Sequence, residues 1–188
     1  KKNSYTGSPM PGVVFRLTDA DGNPVKVKAT ENGYFIPSED GKEAFAIGKD
    51  GKAEIRYLPA KEYKLVEETP VGFVSAGSYT LSVTNENGTE NPYRATITNS
   101  PTALKVFKVH AKTEQPITGA GFTFKTKAFL GFNTLRFTKL ENGWYMRDDQ
   151  GEFTQIMVDS NGEIMVLGLP LDTEVFIEES TVPEGYFP

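Results

Sequence analysis

The sequence PMPGVVF at residues 9–15 decides how the chain is interpreted, because PITGAGF at residues 116–122 repeats its proline, glycine and phenylalanine at the same spacing. Further pairs of similar segments follow in the same order along both halves. They are 32–35 with 142–145, 50–55 with 161–166, 58–59 with 169–170, and 67–73 with 178–186. Matched segments in an unchanged order are typical of a duplicated domain. The sequence therefore predicts two tandem domains, at residues 1–102 and 103–188.

Each half has the pattern of short strands separated by turns. The apolar positions are rich in Val, Ile, Phe and Tyr, which favour strands, and the 18 glycines and 12 prolines indicate many turns. The strands predicted in the first half lie at 13–18, 53–58, 62–67, 78–84 and 94–98. Asn-Gly and Asp-Gly pairs between such segments are typical of hairpin turns. The pattern predicts an all-β protein of two antiparallel, immunoglobulin-like β-sandwiches.

The second half lacks the final part of the repeat. Residues 78–99 have no counterpart after Tyr186. We therefore predict that the second sandwich is incomplete at its C-terminal end, with an open sheet edge or a strand borrowed from another chain.

Composition and motifs argue against several classes of function. The net charge of −5 and the absence of a basic stripe argue against nucleic-acid binding, and no apolar run is long enough to cross a membrane. The chain has no cysteine, so it has neither disulfides nor thiolate metal sites. Residues 19–23 are interpreted as a turn rather than a calcium loop, and the single histidine, His110, lacks a nucleophile motif. We expect no enzyme activity, metal or cofactor.

The ordered segments of each half resemble a known family. The pattern is a first strand with a lysine, Gly-x-x-Phe, Leu-Pro, a Tyr-x-Leu-x-Glu box with a downstream Pro-x-Gly-Tyr, and a last strand ending in asparagine. Here the boxes are YKLVE at 63–67 and VFIEE at 175–179. The pattern resembles the Cna-B type, SpaA-like domains of Gram-positive pilins and of collagen-adhesin B-regions. The resemblance implies a prealbumin-like fold and a structural stalk in an extracellular pilus or cell-wall protein. The implied partners are other pilin or surface-protein domains.

The same resemblance implies an intramolecular isopeptide bond in the first half. In this family a first-strand lysine amine joins a last-strand asparagine carboxamide with loss of ammonia, assisted by a buried carboxylic acid. The corresponding residues here are Lys1, eight positions before Pro9, and Asn99 at the end of a strand. The acid is Glu67, which shares strand parity with the apolar residues of its box. Glu68 remains an alternative for the acid.

In the second half the resemblance implies only part of this set. Lys108, eight positions before Pro116, is the corresponding lysine, and Glu179 is a possible acid. The asparagine partner of Lys108 is missing from the chain.

Two other functions stay open at this point. The first is direct binding of a host matrix protein or a glycan, and the second is a role as the accessory β-domain of a carbohydrate-active enzyme. The aromatic-rich segment 122–145 is interpreted as core packing or, alternatively, as a hydrophobic contact surface. A glycan-binding module would need exposed aromatic side chains on one face of a sheet.

Overall fold

A computed structural model describes residues 1–187, and within that range the regular structure is entirely β-strand. No helix in this part of the chain has the length and apolarity needed to cross a membrane. The strands are β1 (Lys2–Asn3), β2 (Val14–Asp19), β3 (Val27–Ala29), β4 (Phe35–Pro37), β5 (Ala44–Ala46), β6 (Glu62–Glu67), β7 (Ser78–Ser82), β8 (Thr98–Asn99), β9 (Ala103–Phe107), β10 (Gly121–Lys127), β11 (Phe132–Thr134), β12 (Phe137–Lys139), β13 (Tyr145–Arg147), β14 (Ile156–Met157), β15 (Glu163–Leu167) and β16 (Val175–Thr181).

The strands belong to two compact units. The first contains Lys1–Pro70 and Val74–Ser100, and the second contains Val71–Phe73 and the chain from Pro101 onward. Apart from the short segment Val71–Phe73, the division therefore falls between Ser100 and Pro101. This is two residues before the boundary predicted from the repeat.

The first unit is built around an antiparallel sheet in the order β5-β2-β6-β7. Strands β3 and β4 form a separate antiparallel pair. The first and last strands, β1 and β8, pair with each other in parallel. The second unit also contains one parallel pair, β13 with β15. The other strand pairs are antiparallel, as the sequence predicted, and these two parallel pairs are the exceptions.

Two strands predicted in the first half differ from those in the structure. Residues 53–58 form only an isolated bridge between Ile55 and Phe35. Tyr57 has a φ of 62°, a left-handed conformation that interrupts extended backbone. The strand predicted at 94–98 is reduced to Thr98–Asn99, because its partner β1 is only two residues long before the chain turns.

Buried and more exposed side chains alternate along β2 and β6, and the buried ones form the core of the first unit. Phe15 and Leu17 on β2 are each 1% exposed, as is Tyr63 on β6. Leu65 lies opposite Leu17 in the strand register and is also buried. Side chains two positions apart on a strand share a face, so the residue that follows Tyr63 and Leu65 in this pattern, Glu67, also faces the core.

The second unit contains two sheets and one apolar core. In one sheet, β10 pairs with β11, β14 and β16, and the other has the order β12-β13-β15-β9. Both sheets contribute buried side chains to a common cluster. Its members are Ala120, Phe122, Phe124, Leu135, Phe137, Tyr145, Ile156, Val158, Ile164, Val166 and Leu169.

The aromatic-rich segment 122–145 contains both buried and exposed side chains. Phe124 and Phe137 are completely buried, with ring centroids 5.6 Å apart, so the interpretation as core packing is confirmed for them. Phe129 and Leu130, in the turn between β10 and β11, are 101% and 87% exposed. This turn and the adjacent Phe132, which is 55% exposed, fit the alternative of a contact surface.

Candidate functional site

The backbone of Lys1 is held in place although it lies at the start of the first unit. Its nitrogen donates a hydrogen bond to the carbonyl oxygen of Gly51 at 2.5 Å, and its own carbonyl accepts one from the Met10 amide at 3.2 Å. A Cβ at Gly51 would lie 2.7 Å from that carbonyl oxygen, and the φ of Gly51 is 76°. A glycine is needed here because a larger residue would meet the lysine backbone and adopt a strained conformation.

Glu67 reaches the same place from the end of β6. It lies opposite Phe15 in the register of β2 and β6, and its side chain is 1% exposed. The inward direction follows from the two-residue period of the strand. Glu68 points the other way, where it forms an exposed ion pair of 2.9 Å with Arg16. The structure therefore places Glu67 in the site and Glu68 outside it.

Asn99 enters from the last strand of the unit. The parallel pairing of β8 with β1 places Thr98 opposite Lys2 and Asn99 opposite Asn3. Asn99 is 1% exposed. A carboxamide buried to this degree needs hydrogen-bond partners, and it finds them in Glu67 and Lys1.

The three side chains form a closed set of contacts. Lys1 Nζ lies 2.8 Å from Glu67 Oε2 and 2.5 Å from Asn99 Oδ1. Asn99 Nδ2 donates to Glu67 Oε1 at 2.5 Å. The Lys1 amine also lies 5.8 Å from the centroid of the Phe15 ring. Each oxygen of the carboxyl group thus contacts a different nitrogen, and an aromatic ring covers one side.

This arrangement suits proton transfer in a site that excludes water. Moving one proton from the lysine to the carboxylate leaves no buried charge, and burying charge is costly. The neutral amine is a nucleophile, and the carboxyl group can deliver a proton to a nitrogen through its second oxygen. The side chains are also held together by the fold, which supplies the proximity that a reaction between them requires.

Two members of the site, Phe15 and Gly51, were not predicted from the sequence. Phe15 was used as a repeat marker, and its position over the lysine was not foreseen. Gly51 was treated only as a turn residue, although the repeat pairs it with Gly162. That repeated glycine was the available signal, because both glycines approach the backbone of the corresponding lysine.

The second unit brings Lys108 and Glu179 together. Lys108 Nζ lies 2.8 Å from Glu179 Oε2, and the two side chains are 23% and 17% exposed. The other carboxylate oxygen, Glu179 Oε1, is buried and has no hydrogen-bond partner among the described residues. No asparagine within residues 1–187 contacts this pair.

The remaining candidate residues have local roles. Asp19 accepts hydrogen bonds from the backbone amides of Asp21 and Asn23, which forms the turn at 19–23. A hydrogen bond from the Asn23 side chain is the main reason that the pKa of Asp19 is lowered. The imidazole Nδ1 of His110 accepts from the amides of Lys112 and Thr113. Across residues 1–187, no three acidic or histidine side chains converge on a position that would hold a metal ion.

Comparison with protein families and known proteins gives one family match. The family model described as SpaA, prealbumin-like fold domain, matches residues 1–99. No curated protein matches the chain.

Among solved structures, the chain is similar to a streptococcal ancillary pilin, with 19% identity and a TM-score of 0.45. This similarity covers 100% of the present chain but 54% of that pilin, so the chain spans about half of its length. The shaft pilin SpaA of Lactobacillus rhamnosus GG is 16% identical, with 100% and 81% of the two chains covered and a TM-score of 0.40. GBS52, the minor pilin of Streptococcus agalactiae, is 18% identical, with 97% and 88% covered and a TM-score of 0.31.

Proposed function

This chain belongs to the SpaA family of prealbumin-like fold domains, and from that premise we propose that it is a structural module of a Gram-positive pilus or wall-anchored surface protein. In this proposal the module lies outside the cell and transmits tension between neighbouring pilin or surface-protein domains. The first unit is locked by an isopeptide bond between Lys1 and Asn99, which the unit forms itself with the help of Glu67. No other chemistry is assigned to the chain.

The observation that carries this proposal is the buried set of Lys1, Glu67 and Asn99. A lysine, an acid and an asparagine that contact one another at 2.5 to 2.8 Å would be an expensive arrangement if its only role were stability. Replacement of a buried polar cluster by apolar side chains is often neutral or stabilising. A reaction among the three explains why each residue type is present.

The proposed reaction balances within these three residues. The neutral amine of Lys1 attacks Cγ of Asn99, so the Nζ–Cγ bond forms and the Cγ–Nδ2 bond breaks. Glu67, which carries the proton it first received from Lys1, gives a proton to Nδ2, which leaves as ammonia, and takes the second proton of the amine in its place. The products are one amide, one ammonia molecule and Glu67 in its starting state. The 2.5 Å contact between Nδ2 and Glu67 Oε1 supports a role of the acid in protonating the leaving nitrogen.

The position of the bond explains its mechanical value. Lys1 precedes β1 and Asn99 ends β8, so the bond connects the two ends of the first unit. A pull that enters at Lys1 would pass directly to Asn99 through covalent bonds. Residues 2–98 would then carry none of the load, and no force would act on the hydrogen bonds between their strands.

Single-molecule stretching of the full chain tests this function. With the bond in place, the first unit should add no length when the chain is pulled to high force. In a Lys1→Met variant, unfolding should release the residues between positions 1 and 99, on the order of 330 Å at 3.3 to 3.6 Å per residue. Lys108→Met is the matched control and should leave the first unit inextensible. Release of that length by the unchanged chain would refute the proposal.

One observation favours a second function, direct binding of a host matrix protein or a glycan. Phe129 and Leu130 are fully exposed in the β10–β11 turn, and Phe132 beside them is 55% exposed. Exposed apolar groups of this kind often mark contact sites. A Phe129→Ser, Leu130→Ser double variant should lose binding to such a ligand while keeping the bond in the first unit. Unchanged binding to immobilised matrix proteins or glycans would exclude this turn as their site.

A further inference from the structure

We infer that the first unit has a binding site for a saccharide that bears a carboxylate group, formed by the side chains of Tyr34, Glu54, Arg56 and Tyr57. Tyr34 lies directly before β4, and the other residues belong to the segment that bridges β4. The site shares no residue with the set around Lys1 or with the β10–β11 turn. It does not depend on the proposed isopeptide bond.

Tyr57 has a strained backbone and an exposed side chain. Its φ of 62° lies in the left-handed region, which is unfavourable for a residue with a Cβ. The side chain is 76% exposed, so burial of the ring does not offset this cost. Backbone strain of this kind is found most often at functional sites. A contact made by the exposed ring would explain why a tyrosine occupies the position.

The second unit makes the same turn without a side chain. The repeat pairs residues 58–59 with 169–170, so Tyr57 corresponds to Gly168. Gly168 has a φ of 79°, which a glycine adopts without steric cost. The turn itself therefore does not require a tyrosine.

The strand pairing beside this turn is also the same in the two units. Ile55 forms a parallel bridge with Phe35. The corresponding residues of the second unit, Val166 and Tyr145, lie opposite each other in the parallel pair of β15 and β13. The residues on either side of Ile55 can therefore be compared directly with those on either side of Val166.

The polar neighbours of Ile55 have apolar counterparts in the second unit. Met165 corresponds to Glu54, and Leu167, which is 3% exposed, corresponds to Arg56. The second unit thus forms the same backbone with neither a charged pair nor a side chain at the turn. Glu54, Arg56 and Tyr57 are a feature of the first unit that the fold does not need.

The guanidinium group of Arg56 is fixed by its neighbours. Its Nε donates to Glu54 Oε1 at 2.7 Å, and its central carbon lies 4.1 Å from the centroid of the Tyr34 ring. The hydrogen bond to Glu54 is the main reason that the pKa of Arg56 is raised, and Tyr34 and Tyr57 lie near enough to contribute. The terminal nitrogens, Nη1 and Nη2, donate to no residue within 1–187. They remain available to a ligand.

These groups match the chemistry of an acidic sugar. Two adjacent N–H groups of an arginine pair well with a planar carboxylate. The face of an aromatic ring is negative and attracts the C–H groups of an apolar sugar face, and the exposed ring of Tyr57 supplies such a surface. Glu54 Oε2 accepts no hydrogen bond from the described part of the chain and can accept one from a sugar hydroxyl.

A highly acidic peptide fits this site less well than a sugar. The site offers the terminal nitrogens of a single guanidinium group, and Glu54 beside it would repel further carboxylates. The chain also has a net charge of −5, which disfavours a polyanion. A ring with one carboxylate and several hydroxyls uses the cation and the free acceptor without this repulsion. Uronic and sialic acids are the sugars of this class.

Titration of the full 188-residue chain with defined sugars, followed by NMR, tests the inference. The probes are 3′-sialyllactose for a sialic acid and a hyaluronan tetrasaccharide for a uronic acid, with lactose as the neutral control. A small exposed site should bind with about millimolar affinity. Binding of either acidic probe, at least about 10-fold tighter than lactose, supports the inference and identifies the acid. No binding of either probe, or equal binding of lactose, would overturn it.

The arginine is tested with a matched pair of variants. Arg56→Gln should weaken binding of the acidic probe about 10- to 100-fold, because it removes hydrogen bonds from a charged group. Arg16→Gln is the control, since Arg16 forms a similar exposed ion pair of 2.9 Å with Glu68 but lies on β2. The control should bind as the unchanged chain does. Equal weakening by the two variants would show non-specific attraction of the acid and refute the site.

Tyr57 is tested by a change that separates binding from stability. Tyr57→Gly should abolish detectable binding, while calorimetry should show a melting temperature of the first unit at or above that of the unchanged chain, because glycine relieves the strain. Tyr57→Phe keeps the ring and should keep the affinity. Unchanged binding by Tyr57→Gly, or a clearly lower melting temperature of that variant, would refute the role of the exposed ring.

Discussion

Replacement of Asn99 by alanine should destabilise the first unit far more than an ordinary buried substitution. It removes the carboxamide that Lys1 would attack but keeps the 2.8 Å contact between Lys1 and Glu67. The proposed bond closes a loop from residue 1 to residue 99. For a loop of about 100 residues, the chain-entropy model gives about 4.7 kcal/mol of stabilisation.

Loss of this stabilisation should lower the melting temperature of the first unit by about 20 °C or more, since 1 kcal/mol corresponds to about 4–8 °C in a domain of this size. Differential scanning calorimetry measures the transition. The only tryptophan of the chain, Trp144, lies in the second unit. Its fluorescence therefore follows the second unit, and that transition should not move.

Asn3→Ala is the control for the loss of a buried asparagine. Asn3 is 8% exposed, and its Oδ1 accepts hydrogen bonds from the backbone amides of Tyr5 and Thr6. It lies next to the site but supplies no group to the reaction. Its loss should cost only the hydrogen-bond energy, about 1–3 kcal/mol. If the Asn99→Ala and Asn3→Ala variants melt at similar temperatures, the stabilisation by loop closure is refuted.

Two further predictions concern the glycine beside Lys1 and the response to acid. Gly51→Ala should displace the Lys1 backbone, slow ammonia loss and lower the free energy of unfolding by about 1–3 kcal/mol. The control is Gly33→Ala, because Gly33 has a similar φ but open space around it, and this variant should leave the rate of ammonia loss unchanged. Equal rates of ammonia loss in the two variants would contradict this role of Gly51. Hydrogen bonds, first from the Gln150 amide, lower the pKa of Asp148. A carboxyl group whose pKa is lowered by folding stabilises the folded state at pH values above its unfolded pKa. This stabilisation is lost as the pH falls through the folded pKa. The second unit should therefore lose stability as the pH falls from about 4, the ordinary pKa of an aspartate, through the lower folded value. The Asp148→Asn variant should lose less stability over this pH range when its unfolding is followed by Trp144 fluorescence. A pH dependence equal to that of the unchanged chain would argue against this role of Asp148.

The lysine, the acid and the asparagine of the candidate site could be named from the sequence because their signals are local or repeated. The parity of YKLVE at 63–67 places Glu67 on the same face as Tyr63 and Leu65, and the structure has that arrangement. The spacing from lysine to proline in both halves indicated Lys1 and Lys108. Strand parity could not predict which nitrogen each carboxyl oxygen of Glu67 contacts, because this depends on the approach of Asn99 from a strand far along the chain.

The errors in the predicted fold have a common cause, because they involve backbone conformation that the side-chain pattern does not encode. The sequence around Tyr57 alternates like a strand, but its positive φ ends the extended segment. The strand before Asn99 is short because β1, its partner, is short. The parallel pairing of β1 with β8 joins residues almost a whole unit apart, and local periodicity contains no information about such pairs.

The mass of the intact chain, followed by proteolytic mapping, tests the central claim most directly. We expect a mass lower than that of the sequence by one ammonia molecule. We also expect one branched peptide in which Lys1 and Asn99 are joined, with Lys108 unmodified. A mass equal to that of the sequence, with Lys1 and Asn99 recovered in separate linear peptides, would contradict it.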